Sequence, residues 1–119
     1  MYKFTRFEDA YEYEGRGHFK CHCIRLHDPK DVNEGSIVHG ITTFLPGGGS
    51  NGGVAEFEMI YHTLDGEMTV YMKNEGDTEE TEYVMHAGDS MYFGKGTFRR
   101  LMNNSKDVVH MMTIMVRPQ

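Results

Sequence analysis

FLPGGGSNGGVAEFEMIYHTLDGE, from Phe44 to Glu67, decides the fold of this chain. Pro46 and the glycines between 47 and 53 call for positive φ or close backbone approach, so the β-branched run SIVHGITTFL before them, Ser36 to Leu45, reads as a strand that stops there. After the glycines, Met59 to Leu64 reads as a strand, Asp65-Gly66 as a tight-turn pair of the kind hairpins prefer, and Glu67 to Lys73 as the return strand.

The same grammar extends both ways. Upstream, Gly17 to His27 alternates Phe19, Cys21 and Cys23 with His18, Lys20 and His22, the period-2 signature of a half-buried strand, and DPKDVNEG at 28–35 is a loop. Residues 1–15 mix Tyr2, Phe4, Phe7, Tyr11 and Tyr13 with charges at no clean period, which reads as an irregular arm whose aromatics pack on a barrel or on a partner subunit. Downstream, strands follow at Glu82–Met85, Ser90–Phe93, Phe98–Met102 and Val108–Val116, each bounded by a polar or glycine turn. No window of a dozen residues has helical periodicity. Short strands at regular spacing therefore predict an all-β sandwich or barrel. In the last strand both alternating sets are largely apolar, which favours burial on both faces and a homodimer.

Composition narrows the function. At 119 residues and 39% hydrophobic content the chain fits one domain, read as an arm and first strand (1–35) packed on a barrel (36–119). The formal charge of −6, without a Lys/Arg cluster, offers no surface for nucleic acid. No apolar run approaches a membrane span, and MYKFTRFEDAYEYEG lacks the core of a signal peptide, so no membrane association and a cytoplasmic location are expected. Cys21 and Cys23, two apart on one strand, read as reduced thiols. Ten Met and no Trp suggest an adaptable pocket or, more simply, core filling.

The glycine register resembles that of the cupin superfamily, whose motifs are written G(X)5HXH(X)3,4E(X)6G and G(X)5PXG(X)2H(X)3N. Counting from Gly47 the first motif closes on Gly66, and counting from Gly88 the second places its glycine on Gly96 and its asparagine on Asn103. The resemblance covers about residues 36–116. It implies a double-stranded β-helix (cupin) barrel, often dimeric. The four positions that usually hold a metal are here Gly53, Ala55, Met59 and Arg99, three without an ordinary ligand and one permanently cationic, so no cofactor is expected at that site.

Candidate site residues follow from that register. Arg99 takes an inward position, and a part-buried guanidinium needs an anion: either a small acidic ligand or an internal carboxylate such as Glu56 or Glu58. Met59 is expected to face it, with Tyr61 and Tyr92 lining the pocket. His39 is a candidate base if its set, with Ile41, Thr43 and Leu45, faces inward, although the opposite set is also apolar. Glu58 is a second candidate if a bulge turns it inward, since a one-residue slip exchanges faces. The expectation is an atypical cupin that binds a small organic anion, with metal-independent proton transfer of the isomerase, epimerase or lyase type as its possible chemistry. The alternatives are a non-catalytic binding or sensing module, and a metal-dependent protein with divalent metal held by His39, Glu56, Glu58 and His62.

Overall fold

The computed structural model describes residues 1–32 and 35–118. After a 3-10 turn at Phe7–Asp9 the strands are β1 (Tyr11–Tyr13), β2 (His18–His27), β3 (Ile37–Val54), β4 (Met59–Thr63), β5 (Glu67–Lys73), β6 (Thr81–His86), β7 (Ser90–Phe93), β8 (Phe98–Met102) and β9 (Val109–Val116). They form one nearly closed sheet in the order β6-β5-β8-β3-β9-β4-β7, with β2 also paired to β3 and β1 to β2. No helix among the described residues is long and apolar enough to cross a membrane.

Two sequence expectations change. The strand expected to end at Leu45 runs on through Pro46 and the glycines to Val54. Exposed Pro46 takes no part in the inter-strand pairing registers, positive φ at Gly47 and Gly52 lets the strand bend, and a register shift lies between Ser50 and Gly53. The first half of β3 therefore pairs with β9, and its end, from Gly49, with β8. Second, Asp65-Gly66 does not close a hairpin. β4 pairs with β7 and β9, whereas β5 pairs with β6 and β8, so this turn carries the chain from one half of the barrel to the other.

Alternation then fixes the faces. Along β3, Val38, Gly40, Thr42 and Phe44 are buried, so His39, Ile41, Thr43 and Leu45 point outward. The core is built on Phe44, Met68, Val70, Leu101, Val109 and Met111, joined by Tyr61, Met72, Met85 and Phe93. Methionine thus fills this small barrel's irregular interior at four of those positions. Outside it, Asp28 is 1% exposed and is held by Arg25, both bonds of Arg117 and the Lys30 amide, tying the end of β2 to the chain's last residues. Cys21 and Cys23 are free thiols; burial first, then Cys23, pushes the Cys21 thiol up to about 12, well away from a reactive thiolate.

Candidate functional site

Opposite Arg99 on β8 stands Gly53 on β3, whose backbone carbonyl meets the guanidinium. Arg99 Nη1 donates to the Gly53 carbonyl (3.0 Å), Nε to the Tyr61 hydroxyl oxygen (3.3 Å), and Nη2 approaches Met59 Sδ (3.7 Å). Its charge also lies 5.5 Å from the centre of the Phe93 ring, and Phe93 meets Tyr61 edge-on at 4.9 Å. These residues converge because Met59 and Tyr61 share one face of β4, while β7 sets Phe93 directly beside Met59.

No carboxylate among the described residues lies within ion-pair distance of Arg99. Glu56 and Glu58 are both exposed, so the internal ion pair is not the arrangement observed. Burial pushes the Tyr61 phenol up, and the adjacent guanidinium pulls partly back. Because the phenol oxygen accepts from Arg99, its own proton is directed elsewhere. A cavity of about 620 Å³ opens over this group, with Arg16, His18, Glu56, Arg117 and Met115 at its walls.

The other sequence candidates lie elsewhere. His39 faces out of the barrel and stacks on His27 (ring centres 5.9 Å apart); burial, then His27, lowers its pKa. The parity of β3 is decided by Phe44, which takes the core. Tyr92 faces outward, 62% exposed, because Phe93 holds the inward place on β7. The Tyr92 hydroxyl donates to Glu58 (2.9 Å), so no bulge brings Glu58 inward. Its neighbour in sequence to Arg99, Arg100, makes a two-point ion pair with Glu80 and lies 3.7 Å over Tyr71. Phe93, Met115 and Arg16 were not singled out from the sequence as site residues, and His18 was read only in the alternation of its strand. Met115 had a signal in the alternation of the last strand; Arg16 reaches the cavity from the turn that joins β1 to β2, which no periodicity reveals, and His18 from the first position of β2.

Gly53 and Met59 both touch Arg99, and Ala55 is buried close by in the core. A glycine, an alanine, a thioether and a guanidinium supply neither imidazole nor carboxylate, so the residues present do not fit a hard or borderline divalent metal. His39, Glu56, Glu58 and His62 do not converge either: among the described residues no three His, Cys, Asp or Glu side chains form a group that could hold a metal ion.

No family model and no curated protein matches the chain in sequence. Solved structures do match in shape. The CENP-C cupin domain of Drosophila melanogaster is 18% identical, with 94% of this chain and 79% of that one covered at a TM-score of 0.77; CENP-C has also been solved bound to CAL1. The polyketide cyclase RemF from Streptomyces resistomycificus is 16% identical, covering 100% and 83% at a TM-score of 0.79. A predicted oxalate decarboxylase from Thermotoga maritima is 15% identical, covering 97% and 99% at 0.76. Identities this low carry the fold and no more, and the barrel described above has the cupin fold.

Proposed function

We propose that the barrel binds a small organic anion, a carboxylate by preference, with Arg99 as its anchor and Tyr61 beside it. The observation that carries this is a part-buried guanidinium in a cavity where no carboxylate among the described residues comes within ion-pair distance of it, Glu56 at the cavity wall being exposed and unpaired with it. Of the five N–H groups of Arg99, three are spent on Tyr61, Gly53 and Met59, which leaves two for a ligand. The Tyr61 proton is a third donor. Three donors around one charge suit a carboxylate or phosphate oxygen pair. Fold cannot choose the function, since a cyclase and a domain solved with a protein partner share it.

The test is calorimetric titration with a panel of small mono- and dicarboxylates and phosphate esters. At least one acid is expected to bind, and Arg99→Gln to weaken it roughly 10- to 150-fold, the worth of a charged hydrogen bond. Equal affinity in the variant would sink the reading.

Proton transfer to the bound anion is a second reading, favoured by the buried Tyr61 hydroxyl. With His39 and Glu58 outside the cavity, the acid–base candidates in its lining are Tyr61, His18 and Glu56, and Tyr61 is the one that touches Arg99. Tyr61→Phe then abolishes turnover while the acid still binds; turnover that survives in this variant rules Tyr61 out.

A further inference from the structure

Independently of the Arg99 cavity, the sheet ends in an open seam. Its two end strands, β6 and β7, flank the Ala87-Gly88-Asp89 turn, yet among the described residues β6 pairs only with β5 and β7 only with β4. His86 donates its amide to the Asp89 carboxylate (2.8 Å) and its carbonyl accepts from the Asp89 amide (2.9 Å), so its backbone groups turn away from β5. Backbone groups alternate in direction along a strand, and those of Val84 and Glu82 therefore turn away from β5 as well. The side chains of this edge are as open as its backbone. Tyr83 stands opposite Val70 and Thr81 opposite Met72, which puts both on the core-facing side, but Tyr83 is 46% exposed where Met85, next on that side, is 3%. The core is thus covered at the turn and uncovered toward Thr81. A hollow of about 300 Å³ lies there, walled by Thr81 and Tyr83 of one edge, Met91 and Phe93 of the other, and Met72.

We infer that the β6 edge takes up an extended, basic segment of another protein as an added strand. Main-chain bonds to Val84 and Glu82 supply the pairing, and the hollow supplies a place for side chains, the two parts of strand addition. Charge selects the partner. Between Asn74 and Phe93 stand six acidic residues and no Lys or Arg, and of the six Glu80 is the one spent on an arginine. A second copy laid edge to edge would bring two such acidic runs together, which like charges oppose. A strand carrying Lys or Arg meets them as opposite charges, which steers it to the edge and rejects acidic competitors. Because side chains alternate across a strand, one set enters the hollow and the other lies beside Val84 and Glu82 on the outer side. The segment that fits therefore alternates apolar and basic residues, the apolar set facing Tyr83 and Met91 and the basic set facing Glu82.

Fluorescence anisotropy of a labelled, amidated peptide that alternates lysine with valine, titrated with the full chain, tests this. The salt is held at about 0.15 M, where exposed charges act over only ~8 Å. Saturable binding is expected. The same peptide N-methylated at its lysines, whose amides would face Val84 and Glu82, leaves the protein untouched and is expected to bind roughly tenfold or more weakly, the worth of one or two net hydrogen bonds. Val84→Pro removes the edge amide from the protein side, at a position where an edge strand tolerates proline, and is expected to cause a similar loss with the circular dichroism of the barrel retained. No saturable binding of the lysine-valine peptide overturns the proposal. Equal affinity of the N-methylated peptide, or of the folded Val84→Pro variant, overturns it too, since attraction is then by charge without strand pairing. Equal affinity for a glutamate-valine peptide overturns the basic partner, and an oligomer of the wild-type chain that Val84→Pro dissolves gives the edge to a second copy instead.

Discussion

Asn103 is 1% exposed, and its side-chain amide donates to the Phe44 carbonyl (3.2 Å) and the Asp107 carbonyl (2.8 Å), while its oxygen accepts from the Ser105 amide and hydroxyl. Its backbone also exchanges bonds with Gly47 and Gly48. One residue thereby closes the turn before β9 and fastens it to β3. Asn103→Ala leaves the buried Phe44 carbonyl short of a donor and loosens the turn at Asp107, and an expected loss of about 1–3 kcal/mol would be read from urea unfolding; a change below about 0.5 kcal/mol would show that water replaces the amide. The sequence made this residue visible as the end of a motif, and Arg99 and Met59 visible as neighbours, because glycine spacing fixes register. It did not reveal what they bond to. Tyr92 as partner of Glu58 depends on which residue of β7 faces inward, and both Tyr92 and Phe93 are aromatic.

Among the elements, β3 shows what a glycine-rich strand permits. A Cβ at Gly49 would sit on the Leu101 carbonyl oxygen of β8, well inside contact, whereas at Gly53 it would meet open space. Gly49→Ala is therefore expected to cost about 1–3 kcal/mol by pushing β8 away, and Gly53→Ala to stay within roughly 1 kcal/mol. Thermal unfolding of the pair compares them directly, and equal midpoints would refute close packing as the reason for Gly49. Most strand positions were legible from alternation and turn residues, with Glu67–Lys73, Ser90–Phe93 and Phe98–Met102 at the expected bounds. Pairing was not, since period-2 patterning says which residues share a face and nothing about the neighbouring strand. The parity of β3 was equally hidden, because Ile41 and Leu45 make its outward set as apolar as its inward one.

For the whole molecule, acid is the weak side. Burial raises the Asp28 carboxyl, but the Lys30 amide, Arg117 and Arg25 outweigh it and hold the group below its ordinary 3.8. Its contribution is thus present above about 3.8 and is lost as pH falls through the lower, folded value. His39 is lowered from its ordinary 6.5 by burial and by His27, so the unfolded chain takes up the proton first and stability declines as pH drops below about 6.5. The unfolding midpoint is expected to fall in two stages on acidification, the first flattened in His39→Gln and the second in Asp28→Asn; an unchanged first stage in His39→Gln would exclude this histidine as its source. The sequence anticipated neither stage. Asp28 lay in a presumed loop, and its partner Arg117 stands almost at the other end of the chain. The long β3 strand has a bearing on biogenesis as well. Ile37 pairs with Val116, and Gly49 with Met102, so at roughly 5–20 residues per second of synthesis β3 leaves the ribosome several seconds before its main partners exist. Until then it can pair only with β2, as a hairpin whose free edge invites nascent chains to pair with each other. The barrel can close only once β9 has been made, and crowding of neighbouring ribosomes on one message would then limit its yield.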